Sequence, residues 1–351
     1  MRYLPISRLT AGMVLGQDIY DGSGVLLLAK HLILNNEYIS NLEVLGFPGI
    51  YIDDEFSKGI EIEEVIRPEI RVQALNVVHA LFEAEEKCPN TMVDKEKIVQ
   101  TIQNVVENIL CDGDVMCNMI DIRNYDDYVY YHSINVTVLS IMVGIKHSMS
   151  ERELTLLGTA AMLHDIGKKF IDKEILDAER SLTEEERVVV AQHSKLGYDY
   201  LKDNYEFSSL VYTGVLMHHE WYNGEGYPMR YSGEEIPMFA RIIRIADSYD
   251  AMLSKRPSRD AMLPGDAVEY MMARCGLEFD PYLLSLFLQQ IAVYPVGCEV
   301  ELSNGKKAIV VENFPHFTLR PLVRILETGE LLHLRDDPAA RNITITNLLI
   351  R

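Results

Sequence analysis

Apolar residues recur at helical spacing through nearly all of the middle of the chain, from about residue 116 to 290. Within this stretch, Ser150 is followed by Glu153 and Thr183 by Glu186, which is the spacing of a capping box at a helix N-terminus. We therefore expect helices to begin at Ser150 and Thr183. The pattern predicts an all-helical domain over residues 116–290.

The two ends of the chain have a different pattern, in which short apolar runs alternate with turn formers. Near the start, GQDIYDGSGVLLLAK predicts two strands joined by a turn, and a short helix is expected over residues 36–45. Near the end, VGCEVELSNGKKAIVVENF predicts a hairpin with an Asn-Gly turn, and LVRILETGELLHL predicts another. Residues 1–64 and 291–351 are thus predicted to form two small β-rich modules.

Between the first module and the helical domain, VQALNVVHALF and KIVQTIQNVVENIL both have helical periodicity. We interpret residues 65–115 as a packed helical connector, with a homodimer contact as the alternative. The chain is therefore predicted to be a mainly α, multidomain protein with four parts. These parts are residues 1–64, 65–115, 116–290 and 291–351.

The charge and the cysteine content limit which kinds of binding partner and which cellular compartment are expected for the protein. The 351 residues include 33 Lys and Arg against 53 Asp and Glu, a formal net charge of -20, which argues against a polymeric nucleic acid partner. The five cysteines form no CxxC pair and indicate free thiols in a reducing compartment. No run approaches the ~20 apolar residues needed to cross a bilayer. We expect a cytoplasmic protein without a membrane partner.

Ionisable residues occupy inward positions on five predicted helices, where apolar residues belong. In VYYHSINVTVLSIMV, for example, His132 shares a stripe with Val129 and Val136. The corresponding residues on the other helices are His164, His193, His218 and Asp247. One such histidine alone would most simply be a hydrogen-bonded core residue. Several together would be costly to bury unless a cation held them, so the set indicates a metal site.

The number of candidate ligands indicates two metal ions. His164 is followed by Asp165 and His218 by His219, and both pairs are expected near helix ends, where neighbours can reach one site. The full candidate set is His132, His164, Asp165, His193, His218, His219 and Asp247. Two ions sharing a bridging carboxylate would use all of them. Imidazole and carboxylate ligands without thiolates favour iron or manganese over structural zinc.

These residues lie in motifs that resemble the HD-GYP branch of the HD phosphohydrolase superfamily. The resemblance covers roughly residues 118–290 and rests on HDIGK at 164–168, HHEWYNGEGYP at 218–228 and ARIIRIADSYDAMLSKRPSR at 240–259, with His193 between the first two. It implies an all-helical catalytic domain with a pair of iron or manganese ions. The implied activity is hydrolysis of cyclic dinucleotides, chiefly cyclic di-GMP, to linear pGpG; the sequence leaves open whether a second cleavage gives GMP.

The resemblance also implies roles for the individual residues. One metal would be held by His132, His164, Asp165 and Asp247 and the other by His193, His218 and His219, with Asp165 as a catalytic bridge. Lys168, a second catalytic residue, would meet a substrate phosphate, as would Arg256 and Arg259, while Tyr227 would line the mouth of the cleft. We expect Glu220 to orient one of the imidazoles.

The chain departs from the family pattern in two places. Some members have a Glu one turn before the first histidine, where it helps to hold a third metal, but this chain has Tyr128. A centre with only two metals is therefore expected. The family loop usually reads Asp-Gly before GYP, whereas Asn223 precedes Gly224 here; asparagine tolerates the same turn conformations.

Two other functions are compatible with these residues. The first is an HD phosphohydrolase that acts on another nucleotide or on a 3′3′ mixed cyclic dinucleotide. The intact GYP segment argues against another nucleotide as the substrate but not against a mixed cyclic dinucleotide. The second is a signalling module that binds a cyclic dinucleotide without hydrolysing it. The complete ligand set argues against this second alternative.

Overall fold

Helices form the middle of the chain and small antiparallel sheets form its two ends, as the sequence predicts. The computed structural model describes residues 1–21, 25–62, 65–84, 92–112, 116–117, 128–178, 180–254 and 261–350. None of the helices among these residues is long and apolar enough to cross a membrane.

The N-terminal module combines short strands with one helix. Its elements are β1 (Arg2–Pro5), β2 (Val14–Leu15), β3 (Ile19–Tyr20), β4 (Leu26–Leu28), α1 (Asn36–Val44) and β5 (Gly49–Asp53). Strands β1, β5 and β2 form one antiparallel sheet in that order, and β3 pairs with β4, as expected for the two predicted strands. Helix α1 begins where the Asn35 side chain accepts a hydrogen bond from the Tyr38 N–H, and it matches the predicted helix over 36–45.

The helical part extends from α2 to α12. Its elements are α2 (Pro68–Glu83), α3 (Lys95–Asp112), α4 (Tyr128–Lys146), α5 (Glu151–Leu163), α6 (Lys173–Leu176), α7 (Glu184–Ala191), α8 (His193–Asn204), α9 (Ser209–Met217), α10 (Met238–Leu253), α11 (Pro264–Ala273) and α12 (Pro281–Leu288). Both predicted capping boxes are present, at the starts of α5 and α7. Buried side chains of α2 and α3 belong to the same hydrophobic core as those of α4, α5, α9 and α10. The segment predicted as a connector thus packs into the core of the helical part.

The C-terminal module is a single antiparallel sheet. Its strands are β6 (Glu299–Leu302), β7 (Lys307–Glu312), β8 (Leu322–Ile325), β9 (Leu331–His333) and β10 (Ile345–Leu348), in the order β10-β6-β7-β8-β9. Both predicted hairpins are present, because β6 pairs with β7 and β8 with β9. In the first turn Gly305 has a φ of 80°, a conformation that glycine adopts without steric cost.

The two terminal modules share a core. Tyr3 and Tyr51 of the first module are buried in the same cluster as Val300 of the C-terminal sheet, and the Tyr3 N–H donates to the Gly297 carbonyl at 2.9 Å. The buried Glu299 carboxylate pairs with guanidinium groups of the N-terminal module. The chain ends therefore pack together, a contact that no local sequence pattern indicates.

Candidate metal centre

The structure brings all seven predicted ligands together inside the helical part. The ligand atoms of His132, His164 and Asp247 lie within 4.8 Å of one another, and so do those of His193, His218 and His219. A third group of the same compactness, made of His164, Asp165 and His218, joins the other two. The candidate ligands thus form two adjacent groups with Asp165 between them.

These side chains are positioned by the ends of some helices and by the interiors of others, since His132 lies within α4. His164 is the residue at which α5 ends, and His218 is the residue at which α9 ends, so the chain changes direction immediately after each. That change lets Asp165 and His219 point to the same site as the histidines before them, which neighbours inside a regular helix cannot do. Asp247 lies within α10.

Asp165 contacts both groups of histidines with different oxygens. Its Oδ1 lies 3.3 Å from His193 Nε2, whereas its Oδ2 lies 3.3 Å from His164 Nε2 and 3.6 Å from His132 Nε2. Lys168 Nζ also lies 2.5 Å from Oδ2. This geometry suits a carboxylate that bridges two cations.

Three imidazoles are held in one tautomer by the backbone of their own helical turn. The Nδ1 atoms of His164, His193 and His218 each lie 2.7 Å from the carbonyl oxygen of the residue three positions earlier. Because a carbonyl oxygen only accepts hydrogen bonds, each Nδ1 must carry the proton and donate it. The Nε2 atoms are then unprotonated in the neutral rings and carry their lone pairs into the site.

His132 is oriented by a carboxylate instead. Its Nδ1 lies 2.7 Å from Asp250 Oδ2, and Asp250 Oδ1 accepts a hydrogen bond of 2.5 Å from Asn135 Nδ2. Asp250 is fully buried. The sequence analysis missed its role, although its position three residues after Asp247, on the same side of α10, could have indicated it.

The facing ring nitrogens fit a bound metal better than an empty polar core. His193 Nε2 lies 3.2 Å from both His218 Nε2 and His219 Nε2. In the tautomers set by the backbone, the Nε2 atoms of His193 and His218 are both acceptors, so their lone pairs repel each other unless a cation lies between them. In addition, His164 Nε2 is buried and has no hydrogen-bond partner among the described residues. The donor set therefore fits metal ions with imidazole and carboxylate ligands.

The second group of histidines is held in the neutral form. Burial, followed by the charges of neighbouring imidazoles, sets the pKa of His218 and of His219 well below the ordinary value for histidine. Burial also lowers the pKa of His193. Since a metal binds only a deprotonated imidazole, these rings are available as ligands at neutral pH.

The two carboxylates are held in the ionised form. Burial alone would raise the pKa of Asp165, but the neighbouring His164 imidazole and the Lys168 ammonium outweigh it and hold the pKa well below its usual value. For Asp247, burial would likewise raise the pKa, but the imidazole of His132, whose Nε2 lies 3.2 Å from Asp247 Oδ1, outweighs it and holds the pKa well below its usual value. Both aspartates are therefore anionic ligands at neutral pH.

The GYP segment forms one wall of the centre. The Tyr227 ring stacks on the His219 ring, with centroids 4.8 Å apart and an angle of 25° between the planes. Glu220 Oε1 accepts hydrogen bonds from the backbone N–H groups of Met229 at 2.6 Å and Arg230 at 3.0 Å. The expectation that Glu220 orients an imidazole is therefore wrong. Its carboxylate instead satisfies donors of the loop that follows Tyr227.

The turn before Tyr227 needs glycine for two different reasons. Gly224 has a φ of 85°, and the Asn223 side chain accepts a hydrogen bond of 3.0 Å from the Glu225 N–H, as asparagine does in such turns. Gly226 lies so close to the preceding chain that a Cβ would be 2.2 Å from the Trp221 nitrogen. The Asn223-Gly224 sequence thus supports the turn that was expected from it.

Three of the residues singled out in the sequence are not placed by these observations. Arg256 and Arg259 lie outside the described residues. Tyr128 is the first residue of α4, and its side chain also lies outside the described part. The phosphate-binding arginines and the two-metal limit remain predictions.

The helical core buries a cluster of histidine and aspartate side chains that could hold metal ions. A family model described as HD domain matches residues 104–283, about half of the chain. The chain belongs to the HD domain family, as the resemblance implied.

Curated relatives carry names that agree with this assignment. A cyclic di-GMP phosphodiesterase of Pseudomonas aeruginosa is 30% identical over 233 residues, which are 66% of this chain and 56% of that protein. The cyclic di-GMP phosphodiesterase response regulator RpfG of Xanthomonas campestris pv. campestris is 29% identical over 228 residues, 64% of this chain and 59% of that protein. A 3'3'-cGAMP-specific phosphodiesterase of Vibrio cholerae is 32% identical over 144 residues, 41% of this chain and 28% of that protein.

The chain thus spans between 56% and 59% of the length of the first two relatives.

Among solved structures, an HDG"Y"P protein from Bdellovibrio bacteriovorus aligns over 81% of this chain and 97% of its own, with 15% sequence identity and a TM-score of 0.47.

Proposed function

We propose that the protein is a metal-dependent phosphodiesterase that hydrolyses cyclic di-GMP to linear pGpG. The observation that carries this proposal is the position of Asp165, whose two oxygens face two separate groups of histidines. Two-metal centres that hydrolyse phosphodiesters hold their ions about 3.5–4 Å apart, and a carboxylate shared between two cation sites can keep two ions that close. The names of the relatives supply the substrate class.

The proposed metal pair is iron or manganese. His132, His164 and Asp247 hold one ion, and His193, His218 and His219 hold the other, with Asp165 shared. When bound, such ions lower the pKa of water and neutralise charge on phosphate oxygens. Burial holds the rings of His218 and His219 in the neutral, metal-binding form, and the Tyr227 ring stacks on that of His219.

The chain's own cations bind the substrate in this proposal. Lys168 is partly exposed, with 19% of its side chain accessible, and its ammonium has three donors of which one is used by Asp165. The other donors can bind a non-bridging oxygen of the phosphate that is cleaved. Arg256 and Arg259, which the family resemblance implies as phosphate ligands, also bind the substrate in this proposal, and Tyr227 limits the cleft beside His219.

A second substrate is supported by one observation. The relative from Vibrio cholerae named as specific for 3'3'-cGAMP is 32% identical over its matched residues, compared with 30% for the cyclic di-GMP phosphodiesterase of Pseudomonas aeruginosa. A mixed 3′3′ cyclic dinucleotide has the same backbone of two phosphodiesters, so the metal centre would treat both alike. Discrimination then depends on contacts with the bases.

The test is turnover of a panel of cyclic dinucleotides by protein purified without oxygen and reconstituted with Fe(II) or Mn(II). We expect linear pGpG from cyclic di-GMP, and the ratio of kcat/KM values for cyclic di-GMP and 3′3′-cGAMP decides between the two substrates. An Asp165→Ala variant controls for contaminating phosphodiesterases. Binding of a cyclic dinucleotide without any product, in protein that carries two metals, would contradict the proposal and favour a binding module.

A further inference from the structure

Helix α2 contacts two of the chain segments that carry candidate metal ligands. It comprises Pro68–Glu83 and so precedes residues 104–283, the part matched by the family model. Nevertheless its buried side chains belong to the core that surrounds the centre. Whatever α2 does for the centre is therefore a feature of this chain beyond the matched domain.

A row of hydrogen bonds connects α2 with His132. Arg71 Nη1 donates to Asn135 Oδ1 at 3.3 Å, Asn135 Nδ2 donates to Asp250 Oδ1 at 2.5 Å, and Asp250 Oδ2 lies 2.7 Å from His132 Nδ1. His132, Asn135 and Asp250 are all buried, with at most 4% of their surface accessible. The row therefore runs through a region where unsatisfied polar groups are costly.

The donors and acceptors of each side chain fix its orientation in this row of hydrogen bonds. A side-chain amide can rotate by 180° and exchange its oxygen and nitrogen, but a guanidinium has only donors and a carboxylate has only acceptors. Arg71 therefore holds the oxygen of Asn135 towards α2, which leaves the nitrogen to donate to Asp250. Asp250 in turn accepts the Nδ1 proton of His132 and leaves Nε2 for the centre.

The other end of α2 is tied to the segment that follows Asp165. Lys169 Nζ donates to the carbonyl oxygens of Leu81 at 3.1 Å and Ala84 at 2.7 Å, at the C-terminus of α2. An ammonium at this position satisfies carbonyls that have no partner within the helix and interacts favourably with the helix dipole. Lys169 directly follows Lys168, so the end of α2 is held next to the bridging segment.

Between these two contacts, α2 packs against the start of α4. The ring of Tyr130, two residues before His132, lies 4.8 Å from the ring of His79 and 5.7 Å from that of Phe82. The turn of α4 that carries His132 is thus held by packing as well as by the hydrogen bonds from Arg71.

We propose that Arg71 is a positioning residue for the metal ligand His132, acting through Asn135 and Asp250. Helix α2 is then part of the frame of the centre, and its placement sets the affinity of the metal held by His132. This inference rests on the proposed metal centre. It adds to that proposal a residue 61 positions before the ligand that it orients.

The experiment measures Mn(II) binding to the full chain by calorimetry, together with the electron paramagnetic resonance spectrum of the bound ion. Loss of a group that orients a ligand costs roughly 10- to 100-fold in metal affinity, so Asn135→Leu should weaken one Mn(II) site by about that factor. Arg71→Met acts one hydrogen bond further away, and we expect a loss of roughly 3- to 10-fold. Arg71→Lys keeps a cationic donor and should recover most of the affinity.

Gln73→Met is the control, because it also introduces a methionine in place of a long polar side chain, at an exposed position of α2. Its Mn(II) affinity and spectrum should equal those of the wild type. Equal Mn(II) affinities for Arg71→Met and the wild type would overturn the inference, even if Arg71→Met lowered the melting temperature of the metal-free protein. If Arg71→Met does not fold, Arg71→Gln, whose shorter side chain has lost the charge, takes its place with the same expected direction.

A wild-type chain that binds no Mn(II) would refute the proposed metal centre itself. Two bound ions in the wild type, with the site of His132 unaffected by Asn135→Leu and by Arg71→Met, would refute only the role of α2. The two failures are therefore distinguishable.

Discussion

Asp165 and His193 face each other across the centre, with Asp165 Oδ1 3.3 Å from His193 Nε2. They come from different elements, and the contact depends on how closely the two backbones approach. A Cβ on Gly167 would lie 1.9 Å from the His193 carbonyl oxygen, a distance that no real side chain could occupy. Glycine at this position thus allows the segment of Asp165 to lie directly against the start of α8.

Replacing Asp165 by Ala should remove both metals and the activity together. The carboxylate is the one candidate ligand whose oxygens face both groups of histidines. Elemental analysis after reconstitution measures the outcome. Asp247→Ala is the comparison, because Asp247 belongs to the His132 group and its loss should leave the other ion bound. Full metal content in Asp165→Ala would show that this carboxylate is not the bridge.

Gly167→Ala should separate the two groups of ligands. The added methyl would force the backbone of Asp165 away from α8, which overpacks the core and costs about 1–3 kcal/mol in the free energy of unfolding. Metal content at the site of His193 should fall as well. Both quantities are measurable, by denaturant unfolding and by elemental analysis.

Gly265→Ala is the control for that substitution. Gly265 lies in α11, and a Cβ there would make an ordinary contact of 3.6 Å with Val293 Cγ1. Alanine in a helix is favoured over glycine, so this variant should be as stable as the wild type or slightly more stable. Unchanged stability and metal content in Gly167→Ala would mean that the contact with His193 is looser than the structure has it.

The fold follows from the sequence wherever the determinants are local. The capping boxes at Ser150 and Thr183 use residues three positions apart, and the hairpin between β6 and β7 uses two adjacent turn residues, so both were predictable. The histidines and Asp247 were identified because they are ionisable residues at positions where the helical period predicts apolar residues.

The supporting contacts could not be predicted in the same way, because they join residues far apart in the chain. The packing of Gly167 on His193 and the hydrogen bond from Arg71 to Asn135 exist only after the helices have assembled. Glu220 was assigned to an imidazole because it follows two histidines. In the folded chain the nearer donors are the backbone N–H groups after the GYP turn, so its carboxylate binds those.

Lys168→Ala should lower kcat/KM while leaving the metals bound. Loss of one charge-assisted contact with a phosphate or its transition state is expected to cost roughly 10- to 1000-fold. Arg256→Ala should behave in the same way. Lys168 also lies 2.5 Å from Asp165, so metal content must be measured with activity. A parallel loss of metal and activity would assign Lys168 to the support of Asp165 instead of to the substrate.

We expect the residue at position 128 to control the rate of a second cleavage. Position 128 is four residues before His132, a spacing that is expected to place two side chains on the same side of a helix. A glutamate there would offer an anionic ligand beside the first metal. The phenol of tyrosine, with an unperturbed pKa near ~10, is neutral at pH 7 and is a poor ligand. The wild type should therefore bind two ions per chain and not three.

With two ions, linear pGpG should accumulate during a time course and GMP should follow only after a delay. Tyr128→Glu should add metal to the centre and shorten that delay, whereas Tyr128→Gln, which has the same length without the charge, should not. Chromatography of the products and elemental analysis of the three proteins measure both effects. GMP formed by the wild type from the first time points, without transient pGpG, would mean that the second cleavage needs no ligand at position 128.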